Sequence, residues 1–123
     1  MPVIAIWFAA FVLTICIEAP VIWFIVGQAE WRAMRKIGTI VLANMATHPV
    51  VWFIFPLLPV SRFLTLAFSE IFAFVVEAWL YAMLFDGISL RRAALASGLA
   101  NTLSFSVGYL TFPTIAGWLR QSV

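Results

Sequence analysis

Four apolar stretches, each about as long as a membrane span, make up most of this 123-residue chain. A helix needs about 20 predominantly apolar residues to cross a bilayer, and the stretches predict helices at about residues 3–26, 38–59, 63–85 and 93–118. Because 65% of the residues are apolar and only 10% are charged, a soluble chain of this size could not hide its apolar side chains from water. We therefore expect an all-α integral membrane protein, an antiparallel bundle of four transmembrane helices that forms one domain over residues 1–123.

The basic residues divide unevenly between the two sides of this predicted bundle. The connections after the first and third helices hold five of the seven: Arg32, Arg35, Lys36, Arg91 and Arg92. Arg62 and Arg120 belong to the other side. Since basic loops stay in the cytoplasm, this bias predicts that both termini are extracytoplasmic. We expect the protein in a bacterial or archaeal cytoplasmic membrane, which is one of the membranes that follow this insertion rule. A net charge of +2 does not indicate a nucleic-acid partner.

Local signals refine the ends of the helices. Asp86-Gly87 is a typical helix stop, and Ser89 is a typical cap for the helix that follows. Because Trp and Tyr concentrate at membrane interfaces, we expect a belt of aromatic residues at each interface. Trp23, Trp31, Trp79 and Tyr81 are expected at the cytoplasmic interface, and Trp118 is expected at the outer one.

Polar residues occur inside every predicted span, where a charged group costs about 2.5–3.5 kcal/mol. They are Glu18; Asn44, Thr47 and His48; Glu70 and Glu77; and Asn101 and Ser104. Measured from the predicted helix midpoints, one residue of each helix (Glu18, Asn44, Glu77 and Asn101) falls about 4–7 Å toward the cytoplasm. His48 falls near the centre, and Glu70 about 6 Å to the outer side. The sequence therefore predicts a buried polar site for an ion, a proton or a ligand.

Prolines and helical spacing add to this predicted site. Pro20 and Pro49 leave the carbonyls of Cys16 and Met45 without their usual donors, and such carbonyls are tolerated at membrane depth where they line a wet cavity. On the third helix, residues 70, 74, 77 and 81 share one face. The two halves of the chain show no convincing internal repeat.

The sequence carries no standard catalytic or cofactor motif, such as HExxH, a P-loop or paired CxxC. Cys16 is the only cysteine, so it predicts neither an intrachain disulfide nor a thiolate zinc site. Carboxylates and an imidazole can still bind a divalent metal of the zinc or iron type. Glu18, His48 and Glu77 are the candidate ligands, and no other cofactor is indicated.

Three functions fit these observations. The first is proton- or cation-coupled transport or conduction, along a path from Glu70 by way of His48 to Glu18 and Glu77. The second is an intramembrane enzyme acting on a lipid-like substrate, with a carboxylate as general base or metal ligand. The third is an accessory subunit of a larger membrane complex. Because four helices enclose little volume, we expect a homo-oligomer or a complex subunit within the lipid bilayer.

Overall fold

The structure, a computed structural model, describes residues 2–121, which fold into four long helices and contain no strand. The helices are α1 (Pro2–Val26), α2 (Ala33–Phe53), α3 (Arg62–Leu84) and α4 (Leu90–Gln121). Short 3-10 turns follow α1 at Gly27–Ala29 and α2 at Phe55–Leu57. The side chains of Trp118 and Arg120, predicted at the outer interface, lie outside the described residues.

Three of the helices match the predicted ranges closely, but α2 is shifted along the chain. It begins at Ala33 instead of 38 and ends at Phe53 instead of 59. The early start reflects Arg35 and Lys36, which are good helix formers although their charges end the apolar run. The early end reflects Pro56, because a proline lacks an N–H and disfavours helical backbone at the residue before it.

The first three helices are long and apolar enough to cross a membrane, over Val3–Ala29, Ala33–Leu57 and Arg62–Leu84. The fourth has 32 residues, about 48 Å of helix, and is more polar. The described chain is therefore an all-helical protein with the make-up of a membrane protein, and at least three of its helices can span the bilayer.

The four helices pack as a ring. Each contacts two neighbours: α1 and α3 both lie between α2 and α4, and the helices of each diagonal pair do not pack on each other within the described residues. Two connections, residues 27–32 and 85–89, meet at one end, which we call the basic end because it carries Arg32, Arg35, Lys36, Arg91 and Arg92. The opposite end, with residues 54–61 and the start of α1, we call the terminal end.

The half of the bundle toward the basic end is a tightly packed apolar core. Its largest members are Ile22, Val26, Ile40, Tyr81 and Phe85, all at most 3% exposed. The prediction that Tyr81 belongs to an interfacial belt is wrong, because its ring faces the bundle interior and stacks on Phe85 at 5.4 Å.

The tryptophans near the basic end lie on the surface. Trp31 is 77% exposed, and Trp79 is also exposed. The Lys36 ammonium lies over the ring of Trp23, 4.4 Å from the ring centroid. Such positions suit an interface where an apolar ring meets a wet, charged surface.

The predicted stop and cap are both present. Gly87 adopts a positive φ of 68° in the turn that follows α3, whose last residue lies three positions earlier. The Arg92 N–H donates to the Ser89 hydroxyl at 3.1 Å. The Ser61 hydroxyl caps α3 in the same way, accepting from Leu64 N–H at 3.3 Å. These caps keep the connections short and hold neighbouring helices antiparallel.

Candidate functional site

Glu18 lies at the centre of the bundle and is 0% exposed. Its carboxylate accepts a hydrogen bond from the Asn44 amide on α2 at 2.9 Å. Its other oxygen accepts one from the Ser104 hydroxyl on α4 at 2.7 Å. Two short bonds compensate much of the cost of burying a carboxyl group, which is high when the group has no partner.

Glu77 reaches the same centre from the opposite helix and is 1% exposed. The Thr47 hydroxyl on α2 donates to one oxygen at 2.6 Å, and the Asn101 amide on α4 donates to the other at 2.7 Å. Both glutamates are therefore held by the same two helices. We call Glu18 and Glu77 with their four donors the carboxyl centre.

The two amides are anchored in matching ways. The Asn44 amide nitrogen also donates to the Ile40 carbonyl at 3.2 Å, and that of Asn101 donates to the Ser97 carbonyl at 3.0 Å. Each amide therefore binds a carboxyl group across the bundle and the backbone one turn back on its own helix. This arrangement fixes which way each amide points.

The bonding pattern reveals a correspondence between the halves of the chain that the sequence analysis did not detect. Residues 42–47 read Leu-Ala-Asn-Met-Ala-Thr, and residues 99–104 read Leu-Ala-Asn-Thr-Leu-Ser. Each is preceded by Glu-Ala, at 18–19 and 77–78, so the glutamate and asparagine are 26 residues apart in one half and 24 in the other. The signal was a short repeated pattern, which is hard to find because the rest of the two halves differ.

A cavity of about 540 Å³ lies between the carboxyl centre and the terminal end. All four helices line it, and the carboxyl centre forms its blind end. Pro56, Arg62 and Pro113 lie at its mouth, near the helix ends. Beyond the blind end, toward the basic end, the apolar core fills the bundle, so the cavity does not continue to the basic end.

Glu70 lies in the cavity wall, not in the carboxyl centre. It is half-buried and forms no hydrogen bond or ion pair with any residue that the structure describes. Seven residues along α3 separate it from Glu77, about 10 Å of helix rise. Glu70 is thus the cavity carboxylate whose oxygens are available to a bound molecule.

His48 is also part of the wall and is 9% exposed. Its Nε2 lies 3.5 Å from the Thr14 hydroxyl, while its buried Nδ1 has no hydrogen-bond partner among the described residues. Its ring stacks on Trp52 at 5.9 Å and meets Phe11 edge-on at 5.4 Å. His48 therefore sits among aromatic rings and forms no hydrogen bond to the carboxyl centre.

The structure brings together Glu18, Asn44, Glu77, Asn101 and Ser104, but it places His48 and Glu70 apart from them in the cavity wall. Within residues 2–121, no three His, Cys, Asp or Glu side chains form a group that could hold a metal ion. The binding of a divalent metal by Glu18, His48 and Glu77 stays a prediction, and it would require these side chains to move closer together.

The two carbonyls freed by proline do not belong to the described site. Pro20 and Pro49 lie inside α1 and α2 as the sequence predicts. Cys16 and Met45, whose carbonyls they free, are exposed residues that do not line the cavity. The two prolines therefore lie in helices that form the site, but the carbonyls that they free are not part of it.

An ion-pair cluster joins the two connections at the basic end. Glu30 is 0% exposed, and its carboxylate binds Arg32 Nε at 3.0 Å and Arg35 Nε at 3.5 Å. Asp86, from the other connection, binds Arg32 and also Arg35 Nη1, the latter at 3.3 Å. We call these four residues the basic-end latch.

Hydrogen bonding to the Arg32 guanidinium lowers the pKa of Glu30 from 4.5 to about 2, so this carboxyl is ionised at neutral pH. Glu30 lies in the basic connection after the first helix, and its pairing with arginines was not predicted. The available signal was an acid followed within five residues by two arginines. The Arg92 guanidinium adds a further tie, donating to the Ile25 carbonyl at 2.6 Å.

No protein-family model matches the chain, and no curated protein or solved structure shows significant similarity to it. The fold and site alone define its class, a helical membrane protein with buried glutamates.

Proposed function

We propose that all four helices span the membrane, with the basic end in the cytoplasm and both termini outside it. The concentration of arginine and lysine at one end supports this orientation, because basic loops are retained in the cytoplasm. The packing of α4 between α1 and α3 supports a fourth span, since α4 supplies half of the donors to the carboxyl centre. In this arrangement the cavity opens to the outside.

We further propose that the protein is a small proton- or cation-coupled transporter. The observation that carries this proposal is the pair of buried glutamates at the blind end of a cavity. No Lys, Arg or His among the described residues forms an ion pair with either of them. Two carboxyl groups without a counter-ion in a low-dielectric site bind a proton or a cation readily. Intramembrane ionisable residues mark such pathways in transport proteins.

The closed half of the bundle favours transport over open conduction. A channel needs a continuous polar path, whereas Ile22, Ile40 and Tyr81 pack tightly between the carboxyl centre and the basic end. A bound proton or cation would reach the cytoplasm only after this core separates. In the basic-end latch, Asp86 joins the hairpin of α3 and α4 to the hairpin of α1 and α2. Its ion pairs with Arg32 and Arg35 must therefore part for the inner side to open.

A flux assay in liposomes tests the proposal. We expect the purified protein to carry protons or a monovalent cation down an imposed gradient, and Glu77→Gln to reduce the rate at least tenfold because it removes one exchangeable charge from the carboxyl centre. Thr102→Ala, on the outside of α4 and one residue from Asn101, is the matched control and retains the wild-type rate. Absence of flux in the wild type, or undiminished flux in Glu77→Gln, contradicts the proposal.

A further inference from the structure

We propose that the cavity binds a protonated organic amine with an aromatic or aliphatic body, and that Glu70 is its counter-ion. This substrate class rests on the proposed transport function for its physiological meaning. The binding site itself stands on the geometry of the cavity.

The size of the cavity sets the kind of ligand. At about 540 Å³ it is far larger than a bare proton or a dehydrated metal ion needs. Volumes of roughly 300–1,000 Å³ are typical of sites for small organic molecules. The site therefore suits a molecule with a body as well as a charge.

The charge of the ligand follows from the acidic side chains. Three glutamates line the cavity, and the described lining residues contain one basic side chain with a permanent charge, Arg62. Arg62 begins α3 at the mouth, eight residues before Glu70 and about 12 Å away along the helix. It forms no ion pair with Glu70, so the wall presents an unpaired carboxylate to the cavity interior.

The His48 Nδ1 is a second potential acceptor for a ligand with N–H donors. This nitrogen is unbonded and fully buried in a side chain that lines the cavity, so a ligand reaches it only when the imidazole ring turns toward the cavity. When Nε2 carries the proton and donates to Thr14, Nδ1 is an acceptor. A primary or secondary ammonium group provides donors for both a carboxylate and an imidazole nitrogen, whereas a quaternary ammonium provides none.

Aromatic and aliphatic side chains form the rest of the wall. Trp52 and Phe112 meet edge to face at 5.2 Å, and Phe105 lies against Tyr109 at 6.1 Å. Aromatic faces attract cations and also pack against apolar bodies. Leu13, Val51 and Leu66 complete an apolar surface, so an amine can place its charge at Glu70 and its body on these rings.

Calorimetric titration of the purified protein in detergent tests the site with three probes of similar shape: phenethylammonium, 2-phenylethanol and 3-phenylpropanoate. We expect phenethylammonium to bind at least tenfold more tightly than the neutral and the anionic probe. Glu70→Gln should remove this preference and Glu70→Asp should keep part of it. Thr102→Ala, at an exposed position on α4 that does not line the cavity, should keep it in full.

Equal binding of the three probes to the wild type overturns the inference, and that comparison requires no variant to fold. Full preference in a folded Glu70→Gln protein also overturns it. Binding without any flux in liposomes leaves the amine site in place and contradicts the transport function. Flux without binding of phenethylammonium contradicts the amine site and leaves the transport function.

Discussion

Glu18 and Glu77 occupy equivalent positions on opposite helices of the ring. Each accepts one amide bond and one hydroxyl bond. The amide always comes from the next helix of the same hairpin, and the hydroxyl comes from the other hairpin. The carboxyl centre therefore joins two helical hairpins by exchanging hydroxyl donors between them.

This equivalence predicts that Asn44→Ala and Asn101→Ala have similar effects. Each removes the amide donor from one buried carboxyl group, and losing a partner of such a group costs about 1–3 kcal/mol. Free energies of unfolding measured in detergent should fall by this amount in both variants. The control, Thr102→Ala, alters a neighbouring exposed residue and should stay within about 0.5 kcal/mol of the wild type. A loss in only one of the two asparagine variants argues against equivalence.

Tyr81→Phe should increase stability. The Tyr81 hydroxyl is buried without a hydrogen-bond partner among the described residues, and such a group costs about 1–3 kcal/mol that phenylalanine would not incur. The same unfolding measurement should show a gain of about 1 kcal/mol, while Tyr109→Phe, at an exposed tyrosine, leaves stability unchanged. A loss of stability in Tyr81→Phe would reveal a partner for the hydroxyl.

The one-sided cavity predicts one-sided chemical access. In a Cys16→Ser background, Ala10→Cys places a thiol in the cavity wall, whereas Ala93→Cys places one in the fully buried core. A methanethiosulfonate reagent with a trimethylammonium group, added outside intact cells, should modify Ala10→Cys and not Ala93→Cys. Reaction of Ala10→Cys only from the cytoplasmic side would reverse the proposed orientation.

The basic-end latch predicts a contribution to stability that is lost in acid. The folded state lowers the pKa of Glu30 from 4.5 to about 2, so its carboxylate stabilises the fold fully above pH 4.5 and loses this effect as the pH falls toward 2. The difference in thermal unfolding midpoint between wild type and Glu30→Gln should be constant above about pH 5 and shrink below it. A difference independent of pH from 2 to 7 would show that the latch does not act through this charge.

The sequence predicts much of the fold because lipid restricts it so strongly. Apolar runs locate α1 and α3 to within about one residue at each end. Depth along the helices correctly groups Glu18, Asn44 and Glu77, since helical rise converts residue number directly into height. The position of a residue around its helix depends on which helices are neighbours, and a single sequence does not contain that information.

Tyr81 has the residue type and depth of an interfacial anchor, but it faces inward because it shares a face of α3 with Glu77. The helical spacing of the two residues already contained this signal. The other errors follow from the missing information about neighbouring helices. His48 has the right depth for the carboxyl centre and is surrounded by aromatic rings instead. Glu30 pairs with Arg32 in its own connection and with Arg35 on α2. It also contacts Asp86 in the other connection, 56 residues away along the chain, and only the three-dimensional structure shows this contact.

The exchange of hydroxyl donors also bears on the ancestry of the chain. In a single hairpin with the pattern Glu-Ala and Leu-Ala-Asn-x-x-Ser/Thr, the asparagine donates to the glutamate of the same hairpin. The hydroxyl donates only to the glutamate of the other hairpin. Two identical hairpins of this kind are self-complementary. Duplication and fusion of one gene would then have preserved a pairing already present between separate copies.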